Sequence, residues 1–224
     1  MAERDDPPPR GSYRREGSGL EFDRVSFFTD AVYAIAMTLL VVELHVPHIV
    51  GSLEENGTLA DALWEQSDAI FGFFLGFVIL GRYWLAAHQF FGTLRSVDTR
   101  LIAINLLYLS FVAFSPFPVA LISEYGGDRT AFYVFAATMG GISLLEVALF
   151  RYAEHHGHLR DRLSPEALRF GTIASTAPVL IVLLSLPLAL ISTSVALLSW
   201  LLMFPVGYWI GTHPPANIPE SWRT

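Results

Sequence analysis

Residues 24–47, RVSFFTDAVYAIAMTLLVVELHVP, set an arginine, an aspartate and a glutamate into an otherwise apolar run. Only residues 31–42 are continuously uncharged. A helix needs about 20 residues to cross about 30 Å of hydrocarbon, so the run reaches spanning length only with Arg24, Asp30 and Glu43 included. Charges that face lipid at depth cost several kcal/mol each, and these three are therefore expected to face protein or water. Arg24 and Asp30 stand six positions apart, outside the i,i+4 register, so each is expected to bind groups on other helices. Further along, Ile35, Thr38, Leu39 and Val42 repeat at the i, i+3, i+4, i+7 spacing of one helix face. That spacing also describes ordinary core packing. With charges near both ends and small Ala31, Ala34 and Ala36 between them, the stripe also fits a narrow apolar point in a pore.

Composition extends the membrane reading to the whole chain. Of 224 residues, 53% are hydrophobic and 16% charged, against about 25% charged in soluble domains. Mean hydropathy is +0.46. The run 101–123 carries no charge, and neither does 170–219, which is long enough for two crossings with a turn near Ser192, Thr193 and Ser194. Six membrane helices follow, roughly 25–46, 66–89, 101–123, 130–150, 171–189 and 194–212, an all-α polytopic architecture. Residues 1–23, with Pro7, Pro8 and Pro9, read as a disordered tail, residues 24–212 as the six-helix transmembrane domain, and residues 213–224 as a short second tail.

Arginine placement orients the spans. Arg4, Arg10, Arg14, Arg15 and Arg24 precede helix 1, Arg95 and Arg100 lie between helices 2 and 3, and Arg151, Arg160, Arg162 and Arg169 lie between helices 4 and 5. The segment 47–65 instead holds Glu54, Glu55, Asp61 and Glu65. By the positive-inside rule both tails are expected to be cytoplasmic, with the chain a multi-pass protein of the cell membrane.

Several function classes fall away. The net charge of −7 and the absence of a basic cluster argue against nucleic-acid binding, and a chain with no cysteine has no disulfide, thiolate metal site or cysteine nucleophile. No phosphate-binding glycine loop, catalytic triad spacing or zinc-protease motif occurs, so neither an enzyme nor a cofactor is expected. His155, His156 and His158, with Glu154 and Asp161, read as structural or solvated residues of a charged link more readily than as metal ligands. Glu146, inside helix 4, reads as a polar interhelical contact more readily than as a proton carrier. A potassium filter of the TVGYG type is missing, the nearest stretch being Glu124-Tyr125-Gly126-Gly127.

Arg24-Val25-Ser26-Phe27-Phe28-Thr29-Asp30, continuing through Ala31-Val32-Tyr33-Ala34-Ile35-Ala36-Met37-Thr38-Leu39-Leu40 to Val42-Glu43-Leu44 and Pro47, resembles the first helix of the bacterial TMEM175-type potassium channel family. That family's hallmark is an arginine followed after three residues by Phe-Ser-Asp, and Thr29 stands here for the serine. Tyr83-Trp84-Leu85-Ala86-Ala87-His88-Gln89-Phe90-Phe91 resembles the end of the family's helix 2, with Ala87 where the first of two histidines is expected.

The resemblance implies a potassium-permeable cation channel in which a homotetramer surrounds a pore lined by helix 1, with potassium as permeant species and lipids and monovalent cations as partners. It implies an apolar constriction at Ile35, with Leu39 and Val42 on the same face and Thr38 at the polar pore position. Arg24, Phe28, Thr29 and Asp30 match the motif that ties helix 1 to its neighbours, and Trp84 and His88 match its partners. The other reading of these residues is a proton-coupled or cation secondary transporter that uses Asp30, His88 and Glu146. Carriers usually rest on inverted repeats or broken helices, and no internal repeat links residues 24–123 to 130–212.

Overall fold

A computed structural model describes residues 11–14, 20–46, 58–161 and 163–213. Most of the two expected tails, residues 1–10, 15–19 and 214–224, lies outside the described residues. The described residues contain six helical spans long and apolar enough to cross a membrane, Leu20–Glu43, Ser67–Thr93, Thr99–Glu124, Arg129–His155, Pro165–Leu188 and Thr193–Thr212. The architecture is thus an all-α polytopic membrane fold. Among the described residues Tyr13–Arg14 lies antiparallel to Ser96–Val97, and Leu94 forms an isolated antiparallel bridge with Leu159.

The first span is α1, Leu20–Leu39, which tightens into a 3-10 turn at Leu40–Glu43. A short helix α2, Leu59–Glu65, precedes the second span, α3, Ser67–Thr93. The third is split into α4, Thr99–Phe114, and α5, Pro116–Glu124. Pro116 has no N–H to continue the ladder, so the split falls where proline is tolerated, at the start of a new helix. The fourth is α6, Arg129–His155, and the fifth α7, Pro165–Leu188. The last span runs from α8, Thr193–Ser199, through a 3-10 turn at Trp200–Leu202 into α9, Met203–Thr212.

Polar caps start these helices. Asp98 accepts from the Leu101 N–H, Asp128 from Thr130 and Ala131, Ser164 from Ala167, and Ser192 from Val195. Each satisfies a backbone donor that the first helical turn leaves without a carbonyl. The end of α6 is set by Gly157, whose φ of 74° is open to glycine at little cost. Its N–H bonds to the Glu154 carbonyl, and His158 N–H reaches back to Ala153 at 2.8 Å. This reversal turns His158 inward, where its side chain is buried.

Helix α6 is the central element, packed by α4, α5, α7 and α8, while α1 lies against α3 and α4. Tyr33, Tyr108, Phe132, Phe135, Met139 and Ile142 are among the fully buried side chains. Close approach of α4 to α6 depends on Gly141, where a Cβ would stand 2.5 Å from the Phe111 ring. Between α7 and the last span, Trp200 donates its indole N–H to Ser185 Oγ at 3.0 Å and its ring lies 4.9 Å from that of Phe135.

One end of the bundle is laced by backbone hydrogen bonds. Arg95 N–H donates to the His158 carbonyl and Arg160 N–H to Thr93, both at 2.9 Å, so the links after α3 and after α6 are joined. The expected spans differ at their ends. Helix α1 begins at Leu20, within the segment expected to be tail, and α6 runs on through Arg151 and Glu154 to His155.

Candidate functional site

Helix α1 has two unlike faces. Phe22, Thr29, Tyr33, Ala36 and Leu40 are buried against the bundle. Opposite them, Ile35, Leu39 and Val42 are 59%, 44% and 65% exposed, and Thr38 with Ala31 and Ala34 is exposed beside them. The four residues proposed from the sequence to line a pore thus share one uncovered stripe. Over the seven positions from Ile35 to Val42 the stripe runs about 10 Å along the helix. The Thr38 hydroxyl donates to the Ile35 carbonyl of its own helix at 2.9 Å.

The motif residues are placed one by one. Asp30 accepts the Trp84 indole N–H at 2.9 Å, joining α1 to α3, and the Trp84 ring lies 5.4 Å from that of His88. Thr29 is buried, donates to the Val25 carbonyl at 3.0 Å and accepts the Asn105 amide of α4 at 3.0 Å. A serine hydroxyl fills the same role, which explains why threonine is tolerated there. Arg24 pairs with Glu21 one turn back at 3.6 Å on an exposed surface, and such a pair contributes little. Phe28 is exposed beside it. Asp30, Trp84 and His88 therefore form one group between α1 and α3, and Thr29 a separate pair with Asn105 of α4, whereas Arg24 and Phe28 point away from the bundle.

Glu146 makes the polar interhelical contact expected of it, while Tyr33, Tyr83, Tyr108 and Asn105 had no sequence signal. Tyr33 of α1 and Tyr108 of α4 share a short hydroxyl to hydroxyl hydrogen bond, and Tyr108 donates on to Glu146 of α6 at 3.3 Å. Tyr83 lies 2.7 Å from Ser143 Oγ. Asn105 was overlooked because it is uncharged within a charge-free span. Both Glu146 and His88 line a cavity of about 810 Å³, together with Arg82, Asn105, Tyr108, Phe170 and Phe204. Asp30 is absent from its lining, so the three residues of the transporter reading do not converge on one chamber.

At the laced end, His158 Nδ1 lies 3.0 Å from Ser96 Oγ and its Nε2 lies 3.4 Å from the Asp98 carboxylate, to which Tyr152 also donates at 2.8 Å. Burial works to raise the Asp98 carboxyl, but the Leu101 N–H, Tyr152 and His158 outweigh it and hold it below the usual carboxylate range. Burial depresses His158 against the opposing pull of Asp98. The link read as structural or solvated thus holds one structural histidine, His158, buried between Ser96 and Asp98. Among the described residues no group of three or more His, Asp or Glu side chains converges to hold a metal. The Glu124-Tyr125-Gly126-Gly127 stretch ends α5 and turns into α6, with Tyr125 exposed.

Comparisons with known proteins agree with this architecture. Residues 24–116 match the family described as Endosomal/lysosomal potassium channel TMEM175. Potassium channel B446_29190 of Streptomyces collinus is 36% identical over 145 residues, covering 63% of this chain and 68% of the relative. The Endosomal/lysosomal proton channel TMEM175 of Gallus gallus is 27% identical over 159 residues, 68% of this chain and 31% of that longer protein. The crystal structure of a lysosomal potassium-selective channel TMEM175 homolog from Chamaesiphon minutus superposes with a TM-score of 0.71 at 26% identity, covering 88% of this chain and 100% of that one.

These descriptions overturn the expected cell-membrane location, since the family and the Gallus gallus relative are described as endosomal/lysosomal and the Chamaesiphon minutus structure as that of a homolog of a lysosomal channel. The physical reason is plain. Arginine asymmetry orients a chain across a bilayer but carries no address for which bilayer it enters. The shared motifs of α1 and α3, the six spans and the extent of these matches make this chain a member of the TMEM175 potassium channel family.

Proposed function

We propose that this chain is one subunit of a potassium-permeable channel in which four copies surround an axis lined by α1. The observation that carries the reading is the uncovered stripe of Ile35, Thr38, Leu39 and Val42 on a helix whose opposite face is anchored in the bundle. Other spans also expose leucines, as Leu180, Leu183 and Leu184 do on α7, and those suit lipid. On α1 the stripe is bracketed by the acids Asp30 and Glu43, and small Ala31 and Ala34 on the same side allow close approach of a second copy.

In this arrangement four Ile35 side chains form an apolar ring that an ion crosses at a cost in hydration, with Leu39 and Val42 extending it and Thr38 offering a hydroxyl between them. Asp30 and Trp84, with His88 against the ring, fix the helix so that the ring keeps its diameter. Selectivity then comes from the width and wetting of the ring, because the chain has no TVGYG loop. Kinship with relatives named as potassium channels supports the choice of ion.

The test is potassium flux from liposomes holding the purified chain, repeated with sodium in place of potassium, beside the mass of the complex in detergent. A tetrameric mass with potassium flux exceeding sodium flux is expected. A monomeric mass, or equal absence of both fluxes, contradicts the proposal.

A further inference from the structure

The chain from Tyr33 through Tyr108 to Glu146 connects α1 to the large cavity. Glu146 stands nine residues before the end of α6 at His155, and Arg82 eleven before the end of α3 at Thr93. At 1.5 Å per residue both lie about 14 to 17 Å below that face of the bundle. The cavity reaches them from the same face, where Gly92, Thr93 and Gly211 form its rim and Phe170 and Gly171 its wall. Its volume of about 810 Å³ holds many waters. Glu146 is half-buried and borders this space.

The charged and titratable groups around Glu146 are few. Helix α3 supplies Arg82, Tyr83 and His88, α4 supplies Tyr108, α9 supplies Tyr208, and α1 reaches it through Tyr33; the cavity-lining residues of α7 carry none. Arg82 borders both this cavity and a smaller one that Glu146 and Tyr83 also line, and a Cβ on Gly207 would stand 3.7 Å from its guanidinium. That is ordinary van der Waals distance, so the guanidinium lies close beside α9.

We propose that Glu146 is a proton-binding site of the channel, reached by water through this cavity, and that its protonation is passed to the constriction through Tyr108 and Tyr33. The inference rests on α1 lining the pore. As a carboxylate, Glu146 accepts a charge-assisted hydrogen bond from Tyr108, which in turn accepts from Tyr33. A proton from cavity water joins the carboxylate oxygen and removes the charge. The carboxyl then donates to Tyr108 or holds it only by a weaker neutral bond, and the polarised chain to Tyr33 is lost. Tyr33 and Ile35 are two residues apart, about 3 Å along the axis and on opposite faces. Tyr33 therefore anchors α1 from directly behind the proposed ring, and a change in its anchor changes the ring.

Two readouts test this. Potassium flux from liposomes is measured between about pH 3.5 and about pH 9, which spans carboxylate and histidine titration, for the parent, Glu146→Gln, Tyr108→Phe and His88→Gln. Infrared difference spectra over the same range report protonated carboxyl groups without any need for conduction. The parent flux is expected to change several-fold, Glu146→Gln to show the parent's low-pH flux throughout, and Tyr108→Phe to lose the pH response while keeping the carboxyl band. Retention of the full response in Glu146→Gln or Tyr108→Phe overturns the proposal, as does its loss in His88→Gln alone. If Glu146→Gln fails to assemble, Tyr108→Phe decides the relay. A parent without flux counts against the channel reading; the infrared band absent from Glu146→Gln alone then supports the proton site, and an unchanged band overturns it.

Discussion

Trp84 donates its indole N–H to the Asp30 carboxylate at 2.9 Å, across the contact between α1 and α3. The bond holds a carboxylate that a membrane helix could not otherwise keep at little cost, and it couples the motifs of two spans that lie 54 residues apart in sequence.

Breaking that bond should destabilise the subunit from either side. Trp84→Phe and Asp30→Ala are each expected to lower thermal stability in detergent, by about 1.5 to 3 kcal/mol for a bond to a charged group. Because both remove the same interaction, the double variant should cost less than the sum. Strict additivity in that double-mutant cycle contradicts a coupled pair.

Gly141 permits the contact between α4 and α6. An alanine there places its Cβ 2.5 Å from the Phe111 ring, so the ring or the helix must shift. Gly141→Ala should lose about 1 to 3 kcal/mol through overpacking, and Phe111→Leu in the same chain should recover part of it. Gly92→Ala is a suitable reference, because nothing lies within 4 Å of a Cβ there. Equal melting temperatures for Gly141→Ala and Gly92→Ala would sink this explanation.

The laced end should respond to acid. His158 is depressed by burial, so the unfolded chain takes up its proton first as pH falls below the ordinary histidine range, and stability is lost there. Asp98 is held low by the Leu101 N–H, Tyr152 and His158 despite its burial, so its contribution is present above the ordinary carboxylate range and is lost as pH falls through the lower folded value. Both effects have the same sign. Melting temperature measured against pH should fall in two stages on acidification, and His158→Gln should remove the upper one. A parent whose melting temperature stays level below the histidine range contradicts this linkage.

The six spans were legible because long charge-free runs leave few alternatives in a bilayer, and 101–123 is such a run. Their ends were less so. Helix α6 continues past Phe150 because Arg151 and Glu154 are good helix formers even where they leave the apolar region, and hydropathy alone stops too early. The inward turn of His158 was not legible, because it depends on Gly157 ending a helix that hydropathy stops seven residues earlier. The i,i+3,i+4,i+7 stripe on α1 was readable because it is local. The partnership of Tyr33, Tyr108 and Glu146 was not, since three polar groups on three helices acquire a common neighbourhood only through packing.

The most direct test of the pore is single-channel recording of Ile35→Asn beside the parent, first in symmetrical potassium and then under a potassium to sodium gradient. Asparagine is polar and slightly smaller than isoleucine, so four copies should hold water in the ring and lower the cost of dehydration. Unitary conductance is expected to rise and the reversal potential to move toward loss of discrimination against sodium, with Thr38→Ala giving a milder change. Unchanged conductance together with an unchanged reversal potential contradicts a constriction at Ile35.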